Sequence, residues 1–294
     1  MLESNAELLF GSEKMSSERI TYIQAKNKWF NIKFKELWYY RDLIFLFVKR
    51  NITTSYKQTI LGPLWIVINP LLSTTVFTVI FGVIAGISTD GRPQFLFYMS
   101  GNVLWGFFSS CLNKCSLTFL SNARIFGKVY FPRLVSPVSE SIYHFINYMI
   151  QMLVFIGLVI YYSVTTSDVQ VNMTLCFVPL MVLQTALLGM GIGLIISSIT
   201  AKYRDLNILI GFGVSLWMYI TPIVYPVSRI PGGLRKIFML NPMAPIVESY
   251  RHAFLGCGAF EWKYWLVSLG VTAIVVFAGL LVFNKVEKNF IDTV

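Results

Sequence analysis

Charge is what this sequence has least of. Only 13% of its 294 residues are Asp, Glu, Lys or Arg, about half the ~25% of an ordinary soluble domain. Carboxylates number 14 and histidines 2. No His, Cys, Asp and Glu cluster has metal-ligand spacing, and no nucleophile sits with a base and an orienting group. A phosphate-cradling glycine loop is missing too. The nearest fragment, Gly127-Lys128, is followed by Val129, so the chain is not expected to bind or hydrolyse ATP itself. No internal repeat is evident. The first ~30 residues are polar and mixed in charge, unlike a signal peptide. Of the four cysteines, Cys111, Cys115 and Cys176 lie in or beside apolar stretches, where packing is the ordinary role.

What fills the chain instead is hydrophobic length. Apolar runs lie at about 61–87, 95–120, 138–162, 175–199, 208–225 and 264–283. A bilayer core of ~30 Å takes ~20 apolar residues per helix, and only helices or closed barrels satisfy their backbone there. Hydrophobic residues make up 55% and the mean hydropathy is +0.64. An all-α membrane protein with six transmembrane helices is expected. The net charge of +10 is first of all a topology signal, and no nucleic-acid partner is expected. Lys and Arg crowd the region before Leu61, the 124–133 and 202–204 connections and the end of the chain, which places both termini in the cytoplasm.

One connection breaks that rule. Segment 227–263 should be outside, yet it holds Arg229, Arg235, Lys236, Arg251 and Lys263, with short apolar stretches between prolines. We expect two re-entrant helices there, covered by protein. At the other end, Leu37, Tyr40, Ile44, Phe47 and Val48 share one helical face opposite Lys35, Asp42 and Lys49, the pattern of an amphipathic helix on the membrane surface. The expected organisation is a weakly ordered segment 1–34, an amphipathic interfacial region 35–57 and a transmembrane domain 58–294.

Polar residues inside the runs fall into stripes. Run two carries Asn102, Gly106, Ser109, Asn113 and Ser116, and run three carries Glu140, His144, Asn147 and Gln151. Either the stripes hydrogen-bond helix to helix or they line a hydrated path. Glu140 and His144, one turn apart, suit a pair. Gly189 and Gly193 form a small-residue face for close helix packing. Run six has no comparable stripe and is expected against lipid.

Longer motifs narrow the reading. They are LWYYRDL at 37–43, VKRNI at 48–52, YKQTILGPLW at 56–65, ARIFGKVYFPR at 123–133, KYRDL at 202–206, TPIVYP at 221–226 and LNPMAP at 240–245. This ordered set closely resembles ABC-2 type permeases for polysaccharide export, the family that serves O-antigen, capsule and teichoic acid. Asn51 stands where that pattern has an acidic residue. The resemblance implies the permease subunit of an ABC transporter in the bacterial cytoplasmic membrane: a homodimer with two separate ATPase subunits, which bind the ATP and Mg, exporting a lipid-linked polysaccharide among membrane lipids. It implies ATPase coupling through Arg124, Phe126, Lys128, Tyr130 and Arg133. A channel would be lined by Asn69, Ser73, Tyr98, Asn102, Trp105, Ser109, Asn113, Trp217 and Tyr219, its aromatics serving either as interfacial anchors or as sugar-stacking faces. An extracytoplasmic gate would hold Pro222, Tyr225, Pro226, Asn241 and Pro242. A permease for a drug or other lipid would share the topology without this motif set. A membrane-embedded glycolipid enzyme would need the acidic pair that is missing.

Overall fold

The computed structural model describes residues 34–57, 60–129, 131–166, 169–201, 203, 205–258 and 260–289. The expected N-terminal segment up to residue 33, and Tyr130, Lys202 and Arg204, lie outside the described residues. Every regular element among those described is helical. In chain order they are α1 (Phe34–Tyr39), α2 (Arg41–Tyr56), α3 (Trp65–Phe77), α4 (Gln94–Ser116), α5 (Thr118–Phe126), α6 (Val135–Thr165), α7 (Val178–Thr200), α8 (Leu206–Ile220), α9 (Gly232–Leu240), α10 (Met243–Leu255) and α11 (Trp262–Asn289). A 3₁₀ turn at Gly62–Leu64 leads into α3, and a π-helical segment at Thr78–Ile84 continues it.

Five helical stretches are long and apolar enough to cross a bilayer: Gly62–Ile84, Gln94–Ser116, Val135–Thr165, Met173–Thr200 and Trp262–Val286. They coincide with runs one to four and six. Run five becomes α8, only 15 residues long, roughly 22 Å at 1.5 Å per residue. It ends where Thr221 turns extended before Pro222. The second span is the axis of the bundle. In α4, 72% of the span is buried, against 22% in the first, third and sixth runs, and α3, α6, α7, α8 and α10 all pack on it.

Glycine makes the tightest of these contacts. A Cβ on Gly189 would lie 2.9 Å from the Phe108 carbonyl, and one on Gly193 2.6 Å from Cys115 Cβ, so this face of α7 lies backbone-close to α4. Gly191, on the other side, meets Val276 and the backbone at Gly279 of α11. The small-residue face expected from sequence is thus half of a two-sided arrangement that ties the second, fourth and sixth runs together by close van der Waals contact.

Two expectations change. The α2 face of Ile44, Phe47 and Val48 is covered by the chain itself. It is buried in a cluster with Phe119, Phe126, Phe131, Val135 and Phe283, and α2 packs on α6. The large apolar side chains left exposed are Trp38 and Tyr39 of α1 and Phe45 and Leu46 of α2. The apolar periodicity was therefore a core signal, since protein and lipid reward the same pattern. Run six is likewise only half lipid-like. Leu266, Ile274 and Phe277 are exposed, while Trp265, Ser268, Thr272 and Phe283 are buried. Gln184 of α7 donates to Ser268 Oγ at 2.8 Å. Small hydroxyls one turn apart are a weak sequence signal, because they also bond back to their own helix, as Thr272 does to Ser268.

Candidate functional site: a pinned loop, a stitched kink and an exposed turn

Chemistry-bearing side chains gather at three places. The first lies beyond α8, where helix α10 is buried along its whole length. At its centre Arg251 is 0% exposed. Its guanidinium donates to the Pro222 and Ile223 carbonyls and more weakly to Ser100 Oγ at 3.4 Å. It stacks over the Phe97 ring at 3.8 Å and lies 3.7 Å from Glu248. A charge this deep is tolerable only when paired and hydrogen-bonded, and Arg251 is both. One side chain of α10 thus fixes the backbone of the Pro222 loop against α4.

Asn241 completes the same corner. It accepts from Trp217 Nε1 at 3.1 Å, donates to Thr221 Oγ1 at 2.9 Å and accepts from the Met243 backbone N–H at 3.2 Å. The Pro242 carbonyl accepts from Ser268 at 2.6 Å. Pro222 and Pro226 are buried. Tyr225 O–H donates to the Tyr219 carbonyl at 3.0 Å. The structure therefore brings all five residues of the expected gate into one corner, with Trp217. Arg251, their organiser, was legible only as a charge that violated the loop rule.

The second place is around Pro70, inside α3. Pro70 has no N–H to offer the Ile66 carbonyl one turn back. Gln151 of α6 fills that vacancy, its amide donating to Ile66 O at 3.2 Å. From the other side Asn102 of α4 donates to Ser73 Oγ at 2.6 Å, Thr74 Oγ1 at 3.2 Å and Pro70 O at 3.4 Å. Two polar stripes seen in sequence thus meet around Pro70. Gln151→Leu is expected to orphan the Ile66 carbonyl and cost ~1–3 kcal/mol, read as a fall in the melting temperature of the purified protein. An unchanged melting temperature would contradict this role.

The remaining channel candidates separate by depth. Tyr98 and Trp105 are interior, at 0% and 4% exposure. Trp105 meets Trp217 edge-on, ring centroids 6.2 Å apart. Ser109 and Asn113 are half-buried on α4, and Asn69 and Tyr219 are exposed.

The third place is the turn around α5. Arg124 and Lys128 are exposed. Phe126 is not: it is 7% exposed, packed against Phe119 and Phe131, with the Arg133 guanidinium 5.6 Å from its ring. Arg133 is itself buried. The expected coupling residues therefore divide into a surface pair of cations and an internal pair that shapes the turn.

Comparison with known proteins agrees with this architecture. Residues 42–255 match the ABC-2 type transporter family. The chain is 28% identical over 263 residues to an O-antigen export system permease protein RfbA from Klebsiella pneumoniae, covering 89% of this chain and 99% of that one. A second protein of that name and organism is 28% identical over 256 residues, with 87% and 96% coverage. One of the same name from Myxococcus xanthus is 24% identical over 262 residues, with 88% and 98% coverage. The family match spans well over half of the sequence and runs from the α2 helix to the end of α10: this chain belongs to the ABC-2 type transporter family.

Proposed function

We propose that the chain is the membrane permease subunit of an ABC exporter that moves a lipid-linked polysaccharide across the bacterial inner membrane. The observation that carries this reading is end-to-end likeness to three permeases named for O-antigen export, within a chain whose helices have bilayer length. Those names favour a polysaccharide over a drug as cargo. ATP and Mg bind a separate ATPase subunit, two copies serving a permease homodimer.

In this reading α8, with the Pro222 loop, completes a sixth crossing, and α9 and α10 re-enter from outside. Both termini and α5 then face the cytoplasm. The exposed cations Arg124 and Lys128 dock the ATPase as rim charges, and ATP-driven movement of α5 is passed to α4 through the Leu117 joint between them. Helix α8 supports the homodimer. It is apolar, yet only Val214 is buried in the single chain, as suits a helix whose neighbours belong to a second copy. A path bounded by α3, α4 and α8 would put Ser109, Asn113 and Tyr219 within reach of hydroxyl-rich cargo, whose burial without partners is costly. The Arg251-pinned corner would close its outer end.

The reading is tested by reconstituting the permease with its ATPase in vesicles loaded on the outer leaflet with the host's lipid-linked polysaccharide. ATP-dependent protection of the glycan from an added glycosidase is expected. Protection that is equal without ATP, or without the permease, would contradict it.

A further inference from the structure

A second polar concavity lies on the side of α4 toward α3 and α6. It is a cleft of about 250 Å³, with Tyr56 at the end of α2 in its wall. At ~30 Å³ per water this is roughly eight waters' worth, the size of a single sugar unit. Asn69, Ser110, His144 and Asn147 supply polar walls, and Trp65 and Phe107 supply aromatic ones.

Some of this polarity is already used. Tyr56 O–H donates to Asn147 Oδ1 at 3.1 Å, which leaves the Asn147 amide N–H groups free of any hydrogen bond among the described residues. His144 lines the cleft without offering its Nε2, which is sealed from solvent and faces the Glu140 carboxylate 4.0 Å away. Polar groups at membrane depth are expensive, and unused amide donors beside a cleft there point to a ligand.

The lining also says what kind of ligand fits. No Lys or Arg lines the cleft, so nothing there answers a phosphate. The walls are too polar for a hydrocarbon chain. The contrast lies on another face of α6, in a groove of about 570 Å³ between α6 and α7 lined by Phe145, Met149, Met152 and Leu183, which suits acyl or isoprenoid chains. Neutral amides and a hydroxyl beside the exposed Trp65 ring match a saccharide: hydroxyls for the amides, a C–H face for the indole.

We propose that the cleft between α3, α4 and α6 is a saccharide subsite, holding one sugar unit of the exported chain with Asn147 and Ser110 as hydrogen-bonding partners and the exposed Trp65 ring as its stacking face. This rests on the polysaccharide reading above and extends it to α6, whose polar stripe has no part in a path bounded by α3, α4 and α8. Asn147 and Ser110 are then specificity residues, because amide and hydroxyl positions select among sugar epimers.

The test uses the full permease with its ATPase in the polysaccharide-producing host. The photo-reactive residue p-benzoylphenylalanine is placed at Asn147 and, as a control, at Leu153, which is exposed on the same helix. Irradiation is expected to give a polysaccharide-bearing adduct at 147 but only phospholipid adducts at 153. The 147 adduct should vanish in a strain that lacks the glycosyltransferase initiating the polymer. In parallel, Ser110→Trp, which fills the cleft, should lower surface polysaccharide at least tenfold while the permease still co-purifies with its ATPase. Should Ser110→Trp fail to assemble, Asn147→Leu serves: it keeps the shape, loses the amide and should show the same tenfold loss. Phospholipid adducts alone at 147, or normal export in an assembled Ser110→Trp or Asn147→Leu transporter, would overturn the subsite. Deleting the whole permease separates this from failure of the broader reading: if export survives the deletion, the permease assignment itself falls.

Discussion

Arg251→Met should leave a permease that inserts but does not hold its outer corner. Methionine approximates the length of arginine and packs well, so the loss isolates the guanidinium. The Pro222 and Ile223 carbonyls and Ser100 lose their donor, and Glu248, 3% exposed, loses its neighbouring cation. Removing one partner of a buried, hydrogen-bonded charge pair costs ~3–5 kcal/mol. The expected result is a large fall in melting temperature and loss of export. Arg251→Lys should rescue only in part, because an ammonium group cannot match the planar fork that reaches two carbonyls while stacking on Phe97. Glu248→Gln is the companion experiment: it keeps shape and an acceptor, so it should be milder than Arg251→Met. Equal stability of the Arg251→Met protein and the parent would refute the strut.

The second large effect concerns the α5 turn, where two kinds of substitution should separate cleanly. Phe126→Ala removes a buried ring from a cluster built by Phe47, Phe119, Phe131 and Phe283. A loss of ~3–5 kcal/mol is expected, seen as lower yield and melting temperature even without the ATPase. Arg124→Glu with Lys128→Glu changes only exposed side chains, and surface changes of that kind usually shift stability by no more than ~0.5 kcal/mol. That double variant should fold normally yet lose co-purification with the ATPase or the coupling of hydrolysis to export. If the charge reversal leaves assembly and export intact, α5 is not the docking element. A stable Phe126→Ala chain would mean that this ring does not support the turn.

What could be read from sequence follows a physical line. Long apolar runs are legible because a bilayer demands length, and five of the six emerge as helices of spanning length. The polar stripes are legible because a helix repeats every 3.6 residues. Their destinations are not, since periodicity names a face and not what stands opposite. Gln151 lies 85 positions from the carbonyl it serves, and nothing local ties it to the gap left by Pro70. Phe126 shows the same limit: an aromatic ring in a short basic connection suits a partner's cleft or the chain's own core, and its core is drawn from distant segments. The α2 face follows the same rule: periodicity names it, and the residues that cover it come from distant segments. The positive-inside anomaly was real information only partly decoded. Arg251 is no loop charge but an interior one, and Arg235 is paired with Glu261. Both charges belong to the protein rather than to the topology code.

The central claim is that this chain carries a lipid-linked polysaccharide across the membrane. Deleting it in its own host and staining the cell surface for the polymer tests that most directly, with lipid-linked polymer measured in the cell interior alongside. The account predicts that surface polymer disappears, that lipid-linked polymer accumulates on the cytoplasmic side, and that the wild-type chain supplied in trans restores both. Surface polysaccharide at the parental level in the deletion strain would contradict it.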